Sequence, residues 1–285
     1  MFKKAYRTAA SLTKPGLIAM FTASTLASCA GTAPVPSAKL PITGQYVAMG
    51  SSYAAGPMLG SPKPGTPSRC GRDNNNYATL LAARMGLDLI DVSCSGATTA
   101  HILGPWKELP AQLDALTPDT RLVTVTIGGN DVNYVRNVYV ASCNPAGHKC
   151  PPLLLPTEAD WQNLEAHLTA IGREVHARSP KATLVFVEYV TLVPDGKVCA
   201  AVPLSDTKAA TMREQGKRLA AVTAQAAKET GALLIDTSAL SAHHTPCDAD
   251  PWSMGAPNTG PGAPWHPSAA GMRSIADALV RKLQG

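Results

Sequence analysis

The sequence predicts an α/β fold built on a five-stranded parallel sheet covered by helices on both faces. Two observations carry that prediction: five apolar runs of strand length recur along the chain, and segments with helical patterns separate them. A parallel sheet needs a crossover between neighbouring strands, and a helix is its usual form.

The strand runs fall at residues 46–49, 87–92, 122–127, 183–190 and 232–235. Between the third and fourth, Trp161, Leu164, Leu168 and Ile171 recur at helical spacing and read as a core-facing stripe. The last helix is the clearest, because Met272, Ile275, Ala276, Leu279 and Leu283 line one face. Pro267 suits the first turn of that helix, which puts His266 at its entrance beside the sheet edge. Loops rich in Pro, Gly and Cys at 57–72, 142–157 and 241–265 are expected to shape a binding mouth rather than a second domain.

Ahead of the domain, residues 1–28 read as an export signal. Lys3, Lys4, Arg7 and Lys14 form a basic start, and the mostly apolar stretch at 16–26 is too short to span a membrane. The end of the signal, Leu26-Ala27-Ser28-Cys29, resembles the bacterial lipobox, in which the cysteine is lipidated after cleavage before it. An ordinary secretory signal cut after Ala30 is the alternative. Residues 29–44, rich in Ala, Pro, Ser, Thr and Gly, then form a flexible tether, and residues 45–285 form the domain. The expected location is the cell envelope, lipid-anchored at an outer membrane or in the periplasm if the host is Gram-negative, or else secreted.

The seven cysteines fit that compartment. With Cys29 used as the anchor, Cys70, Cys94, Cys143, Cys150, Cys199 and Cys247 remain, an even set suited to three disulfides. Sequence alone does not choose among the connectivities; pairing in order along the chain joins 70 with 94, 143 with 150, and 199 with 247. The whole chain has 25 Lys and Arg against 20 Asp and Glu. Loss of the four basic residues in the signal leaves 21 against 20, so the mature chain is nearly neutral and carries no basic stripe for nucleic acid. It is expected to act as a monomer, with any membrane attachment coming from the lipid.

Four short signals in the domain belong together. Ser52 follows the apolar run 46–50 at a turn of small residues, where a hydroxyl can be presented at the open edge of a sheet. After it come Cys94-Ser95-Gly96-Ala97-Thr98, then Gly128-Gly129-Asn130-Asp131, then His266-Pro267-Ser268. Taken singly, each residue has an ordinary reading as a turn or cap residue. In this order on an α/β pattern, the chain resembles the SGNH hydrolases, also called GDSL esterases and lipases, over nearly the whole mature domain. The resemblance implies a three-layer α/β/α flavodoxin-like fold and cofactor-free ester hydrolysis without a metal. It also implies Ser52 as nucleophile, His266 as general base, and an oxyanion hole made by the amides of Ser52 and Gly96 and the side chain of Asn130.

The chemistry asks for the same residue types. A serine hydroxyl needs a base to take its proton and later return it to the leaving alcohol. The negative charge of a tetrahedral intermediate needs fixed donors, and a glycine lets a backbone amide approach substrate closely. Asp131 reads as structural.

Two positions depart from the family pattern. Ser51 stands where the Gly-Asp-Ser-Leu block has aspartate, and Ala263 stands where an aspartate commonly precedes the histidine by three residues. The expectation is therefore a Ser52–His266 dyad supported by a main-chain carbonyl near Ala263, with Asp248 and Asp250 as the less favoured replacements. A metal site at His243, His244, Cys247 and Asp248 is disfavoured, since adjacent histidines project differently and Cys247 is better used in a disulfide. Trp252 and Trp265 either line the pocket or cover the sheet edge.

The expected substrate is a small-molecule, lipid or acylated-glycan ester. With only 3 Phe in the chain, short acyl or O-acetyl esters are favoured over long-chain lipids. The rival reading is a non-catalytic envelope module that binds glycan or lipid in the same cleft.

Overall fold

The computed structural model describes residues 42–143, 149–258 and 260–285. The expected signal at 1–28, the lipidation site Cys29 and all but the last three residues of the tether lie outside them. Five parallel strands form one sheet: β1 (Gly44–Gly50), β2 (Leu87–Asp91), β3 (Thr120–Thr126), β4 (Thr183–Val187) and β5 (Leu233–Ile235). Their spatial order is β2-β1-β3-β4-β5. The strand order reverses between β1 and β3, and in open α/β sheets the crevice at such a reversal is where ligands bind.

Helices α2 (Tyr77–Met85) and α8 (Ala269–Gln284) pack on each other, as do α5 (Glu158–Arg178) and α6 (Asp206–Thr230). These pairs form the two outer layers of the α/β/α sandwich. Trp161, Leu164, Leu168 and Ile171 of α5 are buried, as are Met272, Ile275, Ala276, Leu279 and Leu283 of α8. Each fully buried Leu or Ile side chain contributes about 1.5–3 kcal/mol, which offsets much of the backbone entropy lost on folding. The helix starts are capped as their sequences suggest: Asn76, Thr157, Ser205 and Ser268 each accept a backbone N–H from the first turn. No described helix is long and apolar enough to cross a membrane.

Two local expectations are corrected. The run 183–190 is strand only to Val187: β5 is three residues long, and its pairing with β4 closes at Ile235, whose carbonyl accepts from the Glu188 N–H at 3.1 Å. Tyr189 and Val190 lie beyond that last bond, at the C-terminal edge. Pro267 lies one residue before the N-cap Ser268 rather than in the first turn of α8, and it bridges Ser253 of the preceding loop. Three disulfides, Cys70–Cys94, Cys143–Cys150 and Cys199–Cys247, staple the three long loops.

Candidate active site

Four segments meet at the C-terminal edge of β1 and β3. The first is the turn from β1 into α1 (Ser52–Ala55), a four-residue helix. Gly50 has φ +144°, and a Cβ there would meet the Thr126 carbonyl of β3, so only glycine lets the chain turn this close to its neighbour. The Gln112 side chain holds the turn on both sides, accepting from Gly50 N–H at 2.7 Å and donating to its carbonyl at 3.0 Å. Ser52 is 8% exposed, and its hydroxyl is presented to the cleft.

The second segment follows β2. Ser95 is held by the Cys70 carbonyl through its N–H (3.0 Å) and its hydroxyl (2.8 Å), beside the Cys70–Cys94 disulfide. Gly96 comes next, with φ +84° and the Trp106 ring packed where a Cβ would project. The third segment follows β3, where the Asn130 side-chain N–H donates to Ala97 O at 2.8 Å, which ties it to the Gly96 turn. An amide NH2 has two hydrogens, so the second stays available to a ligand. Neither the Ser52 nor the Gly96 backbone N–H donates to another group among the described residues. Asp131 faces away, accepting from the N–H and hydroxyl of Thr99 at the start of α3 (Thr99–Leu103).

The fourth segment is the loop before α8. His266 Nε2 lies 2.8 Å from Ser52 Oγ, and its Nδ1 lies 2.7 Å from Pro264 O. A carbonyl can only accept, so Nδ1 carries the hydrogen, and in the neutral ring Nε2 is left to accept from the Ser52 hydroxyl. Burial holds the imidazole below the ordinary histidine value, against the opposing effect of the Pro264 hydrogen bond. The acceptor is thus one residue on from Ala263. Pro264 O also accepts from the hydroxyl of Tyr139, on α4 (Tyr134–Ala141), at 3.0 Å.

The other candidates sit elsewhere. Asp248 caps its own loop at Thr245, and the Asp250 carboxylate lies 3.6 Å from His244. Cys247 is in a disulfide and His244 stacks on Trp252, so these residues are engaged in loop structure. Trp265 is fully buried and Trp252 packs against the core, so both cover rather than line. The cleft of about 500 Å³ is lined instead by Ser52, Gly96, Asn130 and His266 with Pro57, Val135, Arg136 and Tyr139. Tyr139 and Arg136 carried no motif, and their role depends on the angle at which α4 meets the cleft.

The sequence model of the GDSL-like lipase/acylhydrolase family matches residues 48–274. The chain is 32% identical to a lipase of Streptomyces rimosus over 73% of its own length and 75% of the relative's. It is 31% identical to lipase 2 of Streptomyces coelicolor, over 81% and 83% respectively. Among solved structures, a phospholipase A1 from Streptomyces albidoflavus superposes with TM-score 0.67 at 27% identity, covering 85% of this chain and 99% of that one. An acetylxylan esterase from Geobacillus stearothermophilus shares the fold at TM-score 0.52 and 19% identity, over 86% and 96% of the two chains.

Proposed function

Since the chain belongs to the GDSL-like lipase/acylhydrolase family, we propose that it hydrolyses carboxylic esters through an acyl-enzyme on Ser52, with His266 as general base. The observation that carries this reading is the relay from Ser52 Oγ through the ring of His266 to the carbonyl of Pro264. His266 Nε2 takes the hydroxyl proton as Oγ attacks the ester carbonyl. The resulting oxyanion is held by the N–H groups of Ser52 and Gly96 and by the side-chain amide of Asn130; loss of one such donor typically costs about 2.7–4 kcal/mol of transition-state stabilisation. The imidazolium returns its proton to the leaving alcohol, and water then repeats the sequence to release the acid. Pro264 O fixes the tautomer, as a triad carboxylate would, and offers a dipole in place of a full charge.

Few phenylalanines argue for short acyl or O-acetyl esters. The apolar wall of Pro57, Val135, Tyr139 and Val140 favours longer acyl chains. The lipase and phospholipase names of the relatives favour the same choice. Hydrolysis of p-nitrophenyl acetate, butyrate and palmitate, with Ser52→Ala and His266→Ala in parallel, tests both points. Loss of about a thousandfold or more in both variants is expected, and the chain-length profile of the wild type reports the acyl preference. A wild type no faster than Ser52→Ala on every ester, O-acetylated glycans included, would favour the binding module.

The signal at 1–28, lipidation at Cys29 and the tether belong to the same proposal and place the domain on an envelope surface. Radiolabelled palmitate incorporation that disappears in Cys29→Ser is the expected result; label retained in the variant would exclude that cysteine as the anchor.

A further inference from the structure

Tyr189 stands just beyond the end of β4, carries no motif, and is 6% exposed. Its hydroxyl accepts from the Gly129 N–H at 2.9 Å and shares a hydrogen bond with Ser51 Oγ at 3.2 Å. Ser51 immediately precedes Ser52, and Gly129 immediately precedes Asn130. We propose that Tyr189 is a positioning residue for the ester hydrolysis proposed above, on which this inference rests: its hydroxyl sets the Ser52 turn against the Asn130 turn.

Backbone pairing between β1 and β3 ends at the edge of the sheet. Gly50 pairs with Thr126 and Ser51 N–H donates to the Thr126 carbonyl. Beyond that point no hydrogen bond among the described residues joins 52–56 directly to 127–133. The serine nucleophile and the asparagine amide therefore sit on two turns that diverge from a shared ladder, with the Tyr189 hydroxyl between their first residues.

The packing restrains the phenol. A Cβ at residue 129 would lie 2.7 Å from the Tyr189 ring, so the ring occupies space that glycine leaves open. On the other side lies Tyr53, with ring centroids 4.2 Å apart, and Tyr134 meets the Tyr189 ring edge-on at 6.3 Å. Burial pushes the phenol up to about 12, so it remains a neutral donor and acceptor over the working range of an esterase. Ser51 is 1% exposed. A carboxylate at this position, as in the family's usual block, would be a buried charge; a serine hydroxyl pairs with the phenol at no such cost.

Removing the hydroxyl frees the two turns to shift relative to each other, and misplacement of reacting groups by about 1 Å can cost on the order of a hundredfold in rate. Tyr189→Phe is therefore expected to lower kcat by about ten- to a hundredfold with KM changed by less than about threefold. Its acid limb should stay where it is in wild type, since Tyr189 makes no hydrogen bond to His266. Ser51→Ala should lower kcat in the same direction, and adding it to Tyr189→Phe should cost little more, because both remove the same link.

A kcat within about twofold of wild type in folded Tyr189→Phe would overturn the proposal, as would fully multiplicative losses in the double variant. If Tyr189→Phe does not fold, Ser51→Ala carries the test alone, since it keeps the ring and the Gly129 bond. Loss of kcat at unchanged KM then supports the link, and wild-type kcat refutes it. Ser52→Ala run alongside separates the two layers: activity that survives in Ser52→Ala defeats the serine mechanism itself, whatever Tyr189 does.

Discussion

At the scale of single residues, the proposed mechanism departs from a triad by using a carbonyl in place of a carboxylate. Pro264 O orients His266 by accepting from Nδ1, and Asp248 and Asp250 spend their oxygens on the loop that contains them. Asp248→Asn and Asp250→Asn are therefore expected to keep kcat/KM within about threefold of wild type; a thousandfold loss in either would show that a carboxylate reaches His266 during turnover. The pH profile carries a second expectation. Burial disfavours the charged imidazolium, so His266 stays neutral, and able to accept a proton, to lower pH than an ordinary histidine of pKa about 6.5. Activity lost as pH falls should give an acid limb in kcat/KM below that value, and a limb above 7 would contradict the assignment.

Among the elements, α8 and the loop before it decide where His266 stands. Ser268 joins the two, because its hydroxyl accepts from Gly271 N–H at 3.0 Å and donates to Pro251 O at 2.8 Å. Ser268→Ala removes the cap and one loop anchor, at a cost of about 1 kcal/mol of stability measured by urea unfolding. A cost near zero would mean that the packing of α8 on α2 alone sets the helix start. Apolar spacing made α8 plain in the sequence, but the cap, Ser268, came out two residues later than a Pro267 in the first helical position implies. Strand β4 shows the same limit: only Glu188 interrupts the apolar run to Val190, and the shortness of β5 closes the ladder with the Glu188 N–H on the Ile235 carbonyl. That early end is what frees Tyr189 to reach the site.

Across the whole molecule, the disulfides close loops of different length, and their contributions should differ accordingly. The Cys199–Cys247 bond spans 48 residues and Cys143–Cys150 spans 7. Loop-closure entropy assigns about 4 kcal/mol to the first and about 2 kcal/mol to the second. Replacing both cysteines of the 199–247 pair by serine should lower Tm clearly more than the same change at 143 and 150; the reverse order would point to native-state interactions rather than chain entropy. The α/β class, the five strands and the family followed from the sequence, because burial on both faces demands apolar runs and because Ser52, Gly96, Asn130 and His266 lie in short local blocks. Pro264, Tyr139 and Tyr189 left no comparable trace. A carbonyl has no side chain to mark it, a tyrosine at the end of a strand reads like any core residue, and the roles of all three depend on which segments the tertiary fold brings within about 3 Å of one another. The sequence by itself determined the layers, the order of the strands' apolar runs and the residue types available for chemistry; only the tertiary structure decided which carbonyl faces His266 and which hydroxyl lies between the two turns, because hydrogen bonds depend on distances that no pattern of residue types encodes.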